Sequence, residues 1–424
     1  MIRICLIILM IFFIPLPGGF ACTIFSIKTK ENFYYCNHED YWEYETRLWI
    51  RPGKDGKYGA IYYGFHDWRQ EWLKKTFADK PELMVDDFLP DGGMNEKGLS
   101  WDWVADGTDW GSDSFLPDYD RSHPFHDIIQ QYSTIDEAID FIRKFNFKAS
   151  GRTLMSDRFG NSAIIYKLNG RLIVERATKN FQILGYGKRT SGHSMLKMGK
   201  YVNIKQIADI LDASHQGDVN QYSNINDPKD RIIYLFHFQN FEEYIKIDML
   251  HEFKFGEKTY SIPSLFSKIK ILPPTIIRKG DSVSATFKWR GKSGSIYKLY
   301  YSTDRKFDSY EAVDCIYSSS FTYDYALLGL SIPAYFLLGG IKRKKKYFLA
   351  LLMFIFLAST NCGTTQRSEY KQYKRNLPKV ETKEFSITID NLLPNTTYYW
   401  KIVAHPKGND HFLSESFVYS FTAE

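Results

Sequence analysis

The sequence predicts an α+β protein in which helices cover paired strands, followed by a strand-rich region that an apolar hairpin interrupts. From Cys22 to about Lys270, strand-like runs such as "CTIFSIKT", "YGAIYYGF" and "RIIYLFHF" are rich in β-branched and aromatic residues. Two further runs, "HDIIQQYSTIDEAIDFIRKF" and "VNIKQIADILDASHQ", repeat apolar residues at the spacing of amphipathic helices. Strands and long helices in one stretch indicate sheets covered by helices.

Length and charge narrow the class of protein. The chain has 424 residues, which is long enough for two domains with separate cores. Its formal net charge is +6, but the run "KRKKK" at 342–346 carries five of these charges, so the remainder is close to neutral. A nucleic-acid-binding surface needs basic residues spread along one face, so no nucleic-acid partner is expected. Five cysteines are too few for a disulfide scaffold in a chain of this length.

Residues 1–21 have the pattern of a signal peptide. Arg3 supplies a positive start, and "ICLIILMIFFIPL" is an apolar core of 13 residues, which is short for a bilayer span. Gly19 and Ala21 are small residues at the −3 and −1 positions before the expected cleavage site. The mature chain is then expected to start at Cys22 and to be exported to the cell envelope, outside the cytoplasm.

A domain boundary is predicted near residue 270, between one domain over 22–270 and a second over 271–324 and 364–424. The stretch "KILPPTIIRKGDSV" is typical of a linker, and beyond it "SVSATFKWRG" and "SIYKLYYST" alternate apolar and polar residues, as half-buried strands do. Near the end, "LLPNTTYYWKIVA" resembles the fibronectin type III family. That resemblance implies a seven-stranded β-sandwich, usually a spacer or a binding module.

The segment 325–363 is predicted to be a transmembrane hairpin that tethers the chain. Its two apolar runs, Tyr325–Ile341 and Tyr347–Gly363, have 17 residues each, and "KRKKK" separates them. The positive-inside rule places this basic tip in the cytoplasm, which agrees with an exported first domain. In an alternative interpretation, the second run is an internal export-signal-like segment that ends at Cys362.

An N-terminal Cys22 would carry two reactive groups on one residue. Its thiol is a nucleophile, and its α-amine, with a pKa of about 7.7–8.0, is a base at neutral pH. The sequence has no "GxSxG" elbow and no "HExxH" motif. His123 and His126 are spaced so that both could bind one metal ion from the same face of a helix. However, Pro124 lies between them and favours a helix start instead. Neither a metal nor a cofactor is therefore expected.

Three stretches after Cys22 complete a recognisable pattern. Asp40 follows in "YYCNHEDYW", then "GGMNEKGLSWDW" and then "TLMSDRFGNSAIIYK". Together they resemble the choloylglycine hydrolase and penicillin V acylase family, which belongs to the linear amide C–N hydrolases. Members are N-terminal-nucleophile enzymes built as an αββα sandwich, and the similarity covers most of 22–270.

The resemblance implies roles for individual residues. Cys22 would be the nucleophile, Asp40 would hold and orient its amine, and Asn95 in "GMNEKGL" would donate to the oxyanion. The chain departs from the family at Asn37, where the family usually has an arginine, so Asn37 is a weak candidate for substrate binding. The asparagine that the family carries further along has no equivalent in "NFQILGYGKRTSG".

The expected function is an exported, membrane-tethered amidase that forms an acyl-thioester on Cys22. Its small-molecule substrate would be an N-acyl amide: a bile-salt conjugate, a penicillin, an acyl-homoserine lactone or another lipid amide. A catalytically silent binding or scaffold protein and an acyltransferase remain alternatives. Lipidation of Cys22 would exclude the enzyme. A disulfide between Cys22 and Cys36 is left open, and the sequence does not indicate an oligomeric state.

Overall fold

The computed structural model describes residues 22–29, 31–41, 45–65, 90–119, 124–147, 149–185, 202–214, 219–315, 380–409 and 411–423. These residues form antiparallel sheets with helices on their outer faces. In chain order the strands are β1 (Thr23–Lys28), β2 (Phe33–Asp40), β3 (Thr46–Arg51), β4 (Ala60–Phe65), β5 (Gly92–Asn95), β6 (Ser100–Asp109), β7 (Ser150–Ser156), β8 (Ser162–Leu168), β9 (Arg171–Arg176), β10 (Phe181–Gly185), β11 (Asn220–Asp227), β12 (Ile232–His237), β13 (Asn240–Asp248), β14 (Lys258–Ser261), β15 (Lys270–Lys279), β16 (Ser282–Lys292), β17 (Ile296–Ser302), β18 (Glu311–Asp314), β19 (Thr382–Leu392), β20 (Thr397–His405), β21 (Ser414–Ser416) and β22 (Tyr419–Thr422). The helices are α1 (Pro124–Gln131), α2 (Ile135–Ile142), α3 (Ile204–Ser214) and α4 (Met249–Glu252).

Two large sheets face each other in the N-terminal part. The first has the order β10-β1-β2-β11-β12-β13 and continues through β21, β20, β17 and β18, with β22 paired to β20. The second has the order β14-β3-β4-β5-β6-β7-β8-β9. Ile24 and Tyr35 of the first sheet share one buried cluster with Leu154 and Ile164 of the second. We call the buried region between the two sheets the inter-sheet layer.

Helices cover the outer face of each sheet. The first pair, α1 and α2, pack against Trp101 on the second sheet, while α3 packs against Phe25 and Cys36 on the first. Thr134 caps α2 through a capping box with Glu137. The resulting helix–sheet–sheet–helix order is the layering that the sequence resemblance implies.

The C-terminal part is a β-sandwich. A three-stranded sheet, β15-β16-β19, packs on the far end of the first sheet, and a core that includes Phe287, Trp289, Leu299 and Trp400 fills the space between them. The sandwich is thus observed within the described residues of 271–324 and 364–424. The finer assignment to the fibronectin type III family stays a prediction. Since β13 pairs with β21, one continuous sheet joins the sandwich to the N-terminal part.

Three predicted features lie outside the described residues. They are the signal peptide at 1–21, the hairpin at 325–363 and Cys362 within it. Among the residues that the structure describes, none belongs to a helix with the length and apolarity that a bilayer crossing requires. The signal peptide and the hairpin therefore stay predictions.

Glu243 on β13 holds the junction between the two parts. Its carboxylate accepts the backbone N–H of Ser267 at 2.8 Å and that of Ile269 at 3.0 Å, on the chain that leads into the sandwich. Only 1% of Glu243 is exposed. Burial raises the pKa of Glu243 from its ordinary value of 4.5 to about 7, against the opposing effect of the N–H groups that it accepts.

This buried carboxyl predicts a pH-dependent stability. Glu243 binds its proton more tightly in the folded chain than in the unfolded one, so folding loses stability as the pH rises from 4.5 to about 7. The loss is on the order of 3 kcal/mol. We expect Glu243→Gln to remove this slope when denaturant unfolding is measured at about pH 5 and about pH 8, although the amide also loses acceptor capacity at every pH. Glu242→Gln at the adjacent residue should keep the slope, and an unchanged slope in Glu243→Gln would contradict the assignment.

Candidate active site

Cys22 lies immediately before β1, at the inter-sheet layer. Its side chain is 9% exposed and belongs to the same buried cluster as Ile24 and Leu184. Gly185 on β10 adopts a φ of +98°, and a Cβ at this position would lie 1.8 Å from the carbonyl oxygen of Cys22. Only glycine fits there, so Gly185 permits the close pairing of β10 that fixes the backbone of the cysteine.

The thiol of Cys22 is hydrogen-bonded to a carboxylate. Its Sγ donates to Oε1 of Glu39 at 2.9 Å, and Glu39 is only 5% exposed. The register of β1 and β2, which pairs Thr23 with His38, brings the two side chains together across the strands. A nucleophile and a base within hydrogen-bond reach are the elementary unit of nucleophilic catalysis.

The surroundings keep Cys22 in its thiol form. Burial raises the pKa of Cys22 well above its usual range, and the negative charge of Glu39 raises this pKa further. A hydrogen bond from the backbone N–H of Asp40 acts in the opposite direction. The site therefore needs a proton acceptor at the moment of attack, and Glu39 is in place for it.

Asp40 contacts Cys22 through its backbone N–H rather than through its carboxylate. Its Oδ1 lies 3.2 Å from Nε2 of His38, whose Nδ1 lies 2.8 Å from Oγ of Ser223. His38 stacks on Phe241, in the layer that α3 covers, which is the opposite side of the sheet from Glu39. The structure thus brings Cys22 and Asp40 together, while the predicted role of Asp40 in holding the α-amine stays a prediction.

Asn95 is not brought to Cys22. It ends β5, where its Oδ1 accepts the N–H groups of Lys97 and Leu99, and its Nδ2 donates to the carbonyls of Ile129 and Tyr132 at the end of α1. Its amide therefore faces the helices, on the outer side of the second sheet, and both of its hydrogens are used. The contacts favour a structural role, so the oxyanion role predicted from the sequence has no support here and we do not retain it.

The other candidates from the sequence are placed as follows. Cys36 is a free thiol on the α3 side of β2, so it forms no disulfide with Cys22. His126 in α1 packs against Tyr62 on β4, and its predicted partner His123 lies outside the described residues. Within the described part of the chain, no group of three or more His, Cys, Asp or Glu side chains is arranged to hold a metal ion.

Asn37 lies in the inter-sheet layer, on the same face of β2 as Glu39. It is fully buried and pairs in register with Ile24 on β1 and Asn224 on β11. Neither atom of its amide has a hydrogen-bond partner in the structure as described. The position that the sequence marks as a weak substrate-binding candidate therefore does reach the layer that holds Cys22.

Three acidic residues of the site escaped the sequence analysis: Glu39, Asp91 and Asp102. Asp102 on β6 is fully buried opposite Gly92, where a Cβ would lie 2.3 Å from its Oδ2. Burial, followed by the charges of Glu39 and Asp91, raises the pKa of Asp102 well above its usual range, which favours the neutral carboxyl. The sequence signal that could have found Asp102 is the alternation of side chains along a strand. Asp102 stands between Trp101 and Trp103, so it faces away from the helices that these tryptophans pack against.

Comparisons with known proteins return matches only among solved structures, since no protein-family model and no curated protein matches the chain. Two variants of conjugated bile acid hydrolase from Clostridium perfringens are each 14% identical, with TM-scores of 0.42 and 0.43. They cover 56% and 57% of this chain and 96% and 97% of their own. Penicillin V acylase from Agrobacterium tumefaciens is 16% identical with a TM-score of 0.36, covering 51% of this chain and 83% of its own.

Proposed function

We propose that the protein is a cysteine amidase that cleaves the linear C–N bond of an N-acyl substrate through an acyl-thioester on Cys22. One observation carries the proposal: the thiol of Cys22 donates to Glu39 at 2.9 Å inside the inter-sheet layer. The order of Cys22, Asp40 and "GMNEKGL" along the chain supports the same reaction, because it resembles that of the linear amide hydrolases.

The proton moves between two residues in this proposal. Glu39 takes the proton of Cys22 as Sγ attacks the carbonyl carbon, and the carbonyl oxygen becomes an oxyanion. As the intermediate collapses, protonated Glu39 returns that proton to the leaving nitrogen, so the C–N bond breaks and the thioester remains. Glu39 then accepts a proton from the water that attacks the thioester. The C–S bond breaks, Glu39 returns the proton to Sγ, and the acid and the free thiol are released. Transfer to an amine instead of water would use the same residues.

Cleavage after Ala21 would add a second base to the site. The freed α-amine of Cys22 has a pKa near neutrality, and the sequence resemblance gives it the base role with Asp40 as its holder. Export of the mature chain and its tethering through 325–363 belong to the same proposal, and they rest on the sequence alone.

A silent binding or scaffold protein is the second candidate. The observation that favours it is the buried thiol itself, since burial and the charge of Glu39 raise the pKa of Cys22 and oppose the thiolate. The C-terminal β-sandwich suits such a role, because sandwiches of this kind often serve as spacers or binding modules.

Turnover separates the two candidates. Full-length mature protein is incubated with a panel of N-acyl p-nitroanilides, and the release of p-nitroaniline is followed. N-terminal analysis of the same sample reports whether Cys22 is free or lipid-blocked. Release by protein with a free Cys22 supports the amidase, whereas a lipid-blocked Cys22, or no release from any member of the panel, favours the silent protein.

A further inference from the structure

A row of polar side chains lines the inter-sheet face of β2 and β11, beginning at the nucleophile. Along β2, Glu39 is followed on the same face by Asn37. Their register partners on β11 are Tyr222, opposite Glu39, and Asn224, opposite Asn37. All four are at most 5% exposed. This polar row continues directly from the hydrogen bond of Cys22.

The far end of the polar row is supported by the second sheet. The hydroxyl oxygen of Tyr63 on β4 accepts hydrogen bonds from Nδ2 of Asn224 at 3.0 Å and from Nδ2 of Asn226 at 2.7 Å. The amide of Asn224 also donates to Oδ1 of Asn226 at 3.0 Å. These bonds give the far end an evident structural role, because they satisfy buried donors that would otherwise be costly.

The end near Cys22 is different. The hydroxyl of Tyr222 and both amide atoms of Asn37 have no hydrogen-bond partner among the residues that the structure describes. An unpaired buried polar group is costly, so such groups are uncommon without a role. A bound substrate with its own polar atoms would supply the missing partners.

Resting on the amidase proposed above, we infer that Tyr222 donates its hydroxyl hydrogen to the scissile carbonyl oxygen as that oxygen becomes negative, and that Asn37 binds a second, neutral polar group of the substrate. Tyr222 is suited by position, since it lies opposite Glu39, the partner of the attacking thiol. Preorganised donors aimed at developing charge are among the largest contributions to catalysis.

The charges around the polar row define the substrate class. Burial, followed by the negative charges of Glu39 and Asp91, raises the pKa of Tyr222, so its hydroxyl stays protonated at neutral pH and remains a donor. The same acidic surroundings disfavour a carboxylate or phosphate next to the scissile bond. Asn37 offers both a donor and an acceptor without charge. We therefore expect an N-acyl amide whose groups flanking the scissile bond are uncharged, with a second amide as the best match for Asn37.

Tyr222→Phe is the decisive variant, because it removes one hydroxyl without a partner and leaves the ring. We expect kcat/KM on an uncharged N-acyl p-nitroanilide to fall about a hundredfold. The melting temperature and the rate of Cys22 alkylation by iodoacetamide should stay at the values of the unmodified protein, since the nucleophile and its partner are intact. Tyr63→Phe is the matched control: it deprives Asn224 and Asn226 of their acceptor and should lower the melting temperature by a few degrees.

Asn37→Leu tests the second contact. The variant removes an amide that makes no bond in the free protein, so its melting temperature should stay level or rise. On a substrate with a second amide we expect KM to rise about tenfold with little change in kcat, as the loss of one hydrogen bond predicts. A substrate with a carboxylate beside the scissile bond should be poor for the unmodified protein.

Two outcomes would overturn the inference. One is a Tyr222→Phe enzyme with unchanged kcat/KM, and the other is a loss of melting temperature in Tyr222→Phe as large as that in Tyr63→Phe, which would make the hydroxyl structural. Both are distinguishable from failure of the amidase itself, in which the unmodified protein releases no p-nitroaniline or Cys22→Ser retains turnover.

Discussion

Cys22→Ser is expected to abolish amide cleavage, with a loss of about 10⁴-fold or more in kcat, while Cys36→Ser leaves it unchanged. Loss of the nucleophile removes the covalent route altogether, and serine is a far weaker nucleophile than cysteine in the same surroundings. The measurement is the release of p-nitroaniline from an N-acyl p-nitroanilide by each full-length variant.

The comparison with Cys36 makes this prediction specific. Both thiols are buried, and burial raises the pKa of each. They differ in position: Cys36 faces α3 and, among the described residues, has no carboxylate partner, whereas Cys22 faces the second sheet and bonds to Glu39. Equal losses in the two serine variants would point to a general effect on the fold and contradict the assignment of Cys22.

Glu39→Gln is expected to lower turnover by about 10²–10⁴-fold, which is the usual size of a general-base contribution. Glutamine keeps the shape of the side chain and can still accept from Sγ, but it cannot take the proton. The negative charge of Glu39 raises the pKa of Cys22, so its removal should lower that pKa and speed alkylation of Cys22 by iodoacetamide at a fixed pH. The assays are turnover and alkylation rate on the same protein sample.

These opposite changes separate catalysis from structure. A variant that merely disturbed the fold would alter turnover without making the thiol more acidic. Glu31→Gln is a suitable control, because Glu31 is exposed in the turn between β1 and β2. If Glu39→Gln retained full turnover, the α-amine of Cys22 would have to be the base, and our assignment of Glu39 would be wrong.

Sequence patterns predicted the layers of the fold because each layer leaves a local signal. The helical spacing of apolar residues located α2 and α3. Alternation in "SVSATFKWRG" matches the alternating burial of β16. The join between the two parts could not be predicted, because the pairing of β13 with β21 links residues far apart in the chain.

The candidate site was only partly predictable, since its contacts cross between strands. Cys22 and Asp40 stood out through the leader and the spacing of the family motif. Glu39 was overlooked beside Asp40 because adjacent residues on a strand face opposite ways, and only the register with β1 shows which of the two meets the thiol. Asn95 was chosen for its motif, yet the face of β5 that it occupies turns it toward α1.

The most direct test of the account is to trap the acyl-thioester. Full-length mature protein is mixed with an N-acyl p-nitroanilide, quenched in acid during turnover, digested and examined by mass spectrometry. We predict that the peptide containing Cys22 carries the mass of the acyl group and that hydroxylamine removes it, as expected for a thioester. Turnover with no acyl adduct on Cys22, or with the adduct on another residue, would contradict the account.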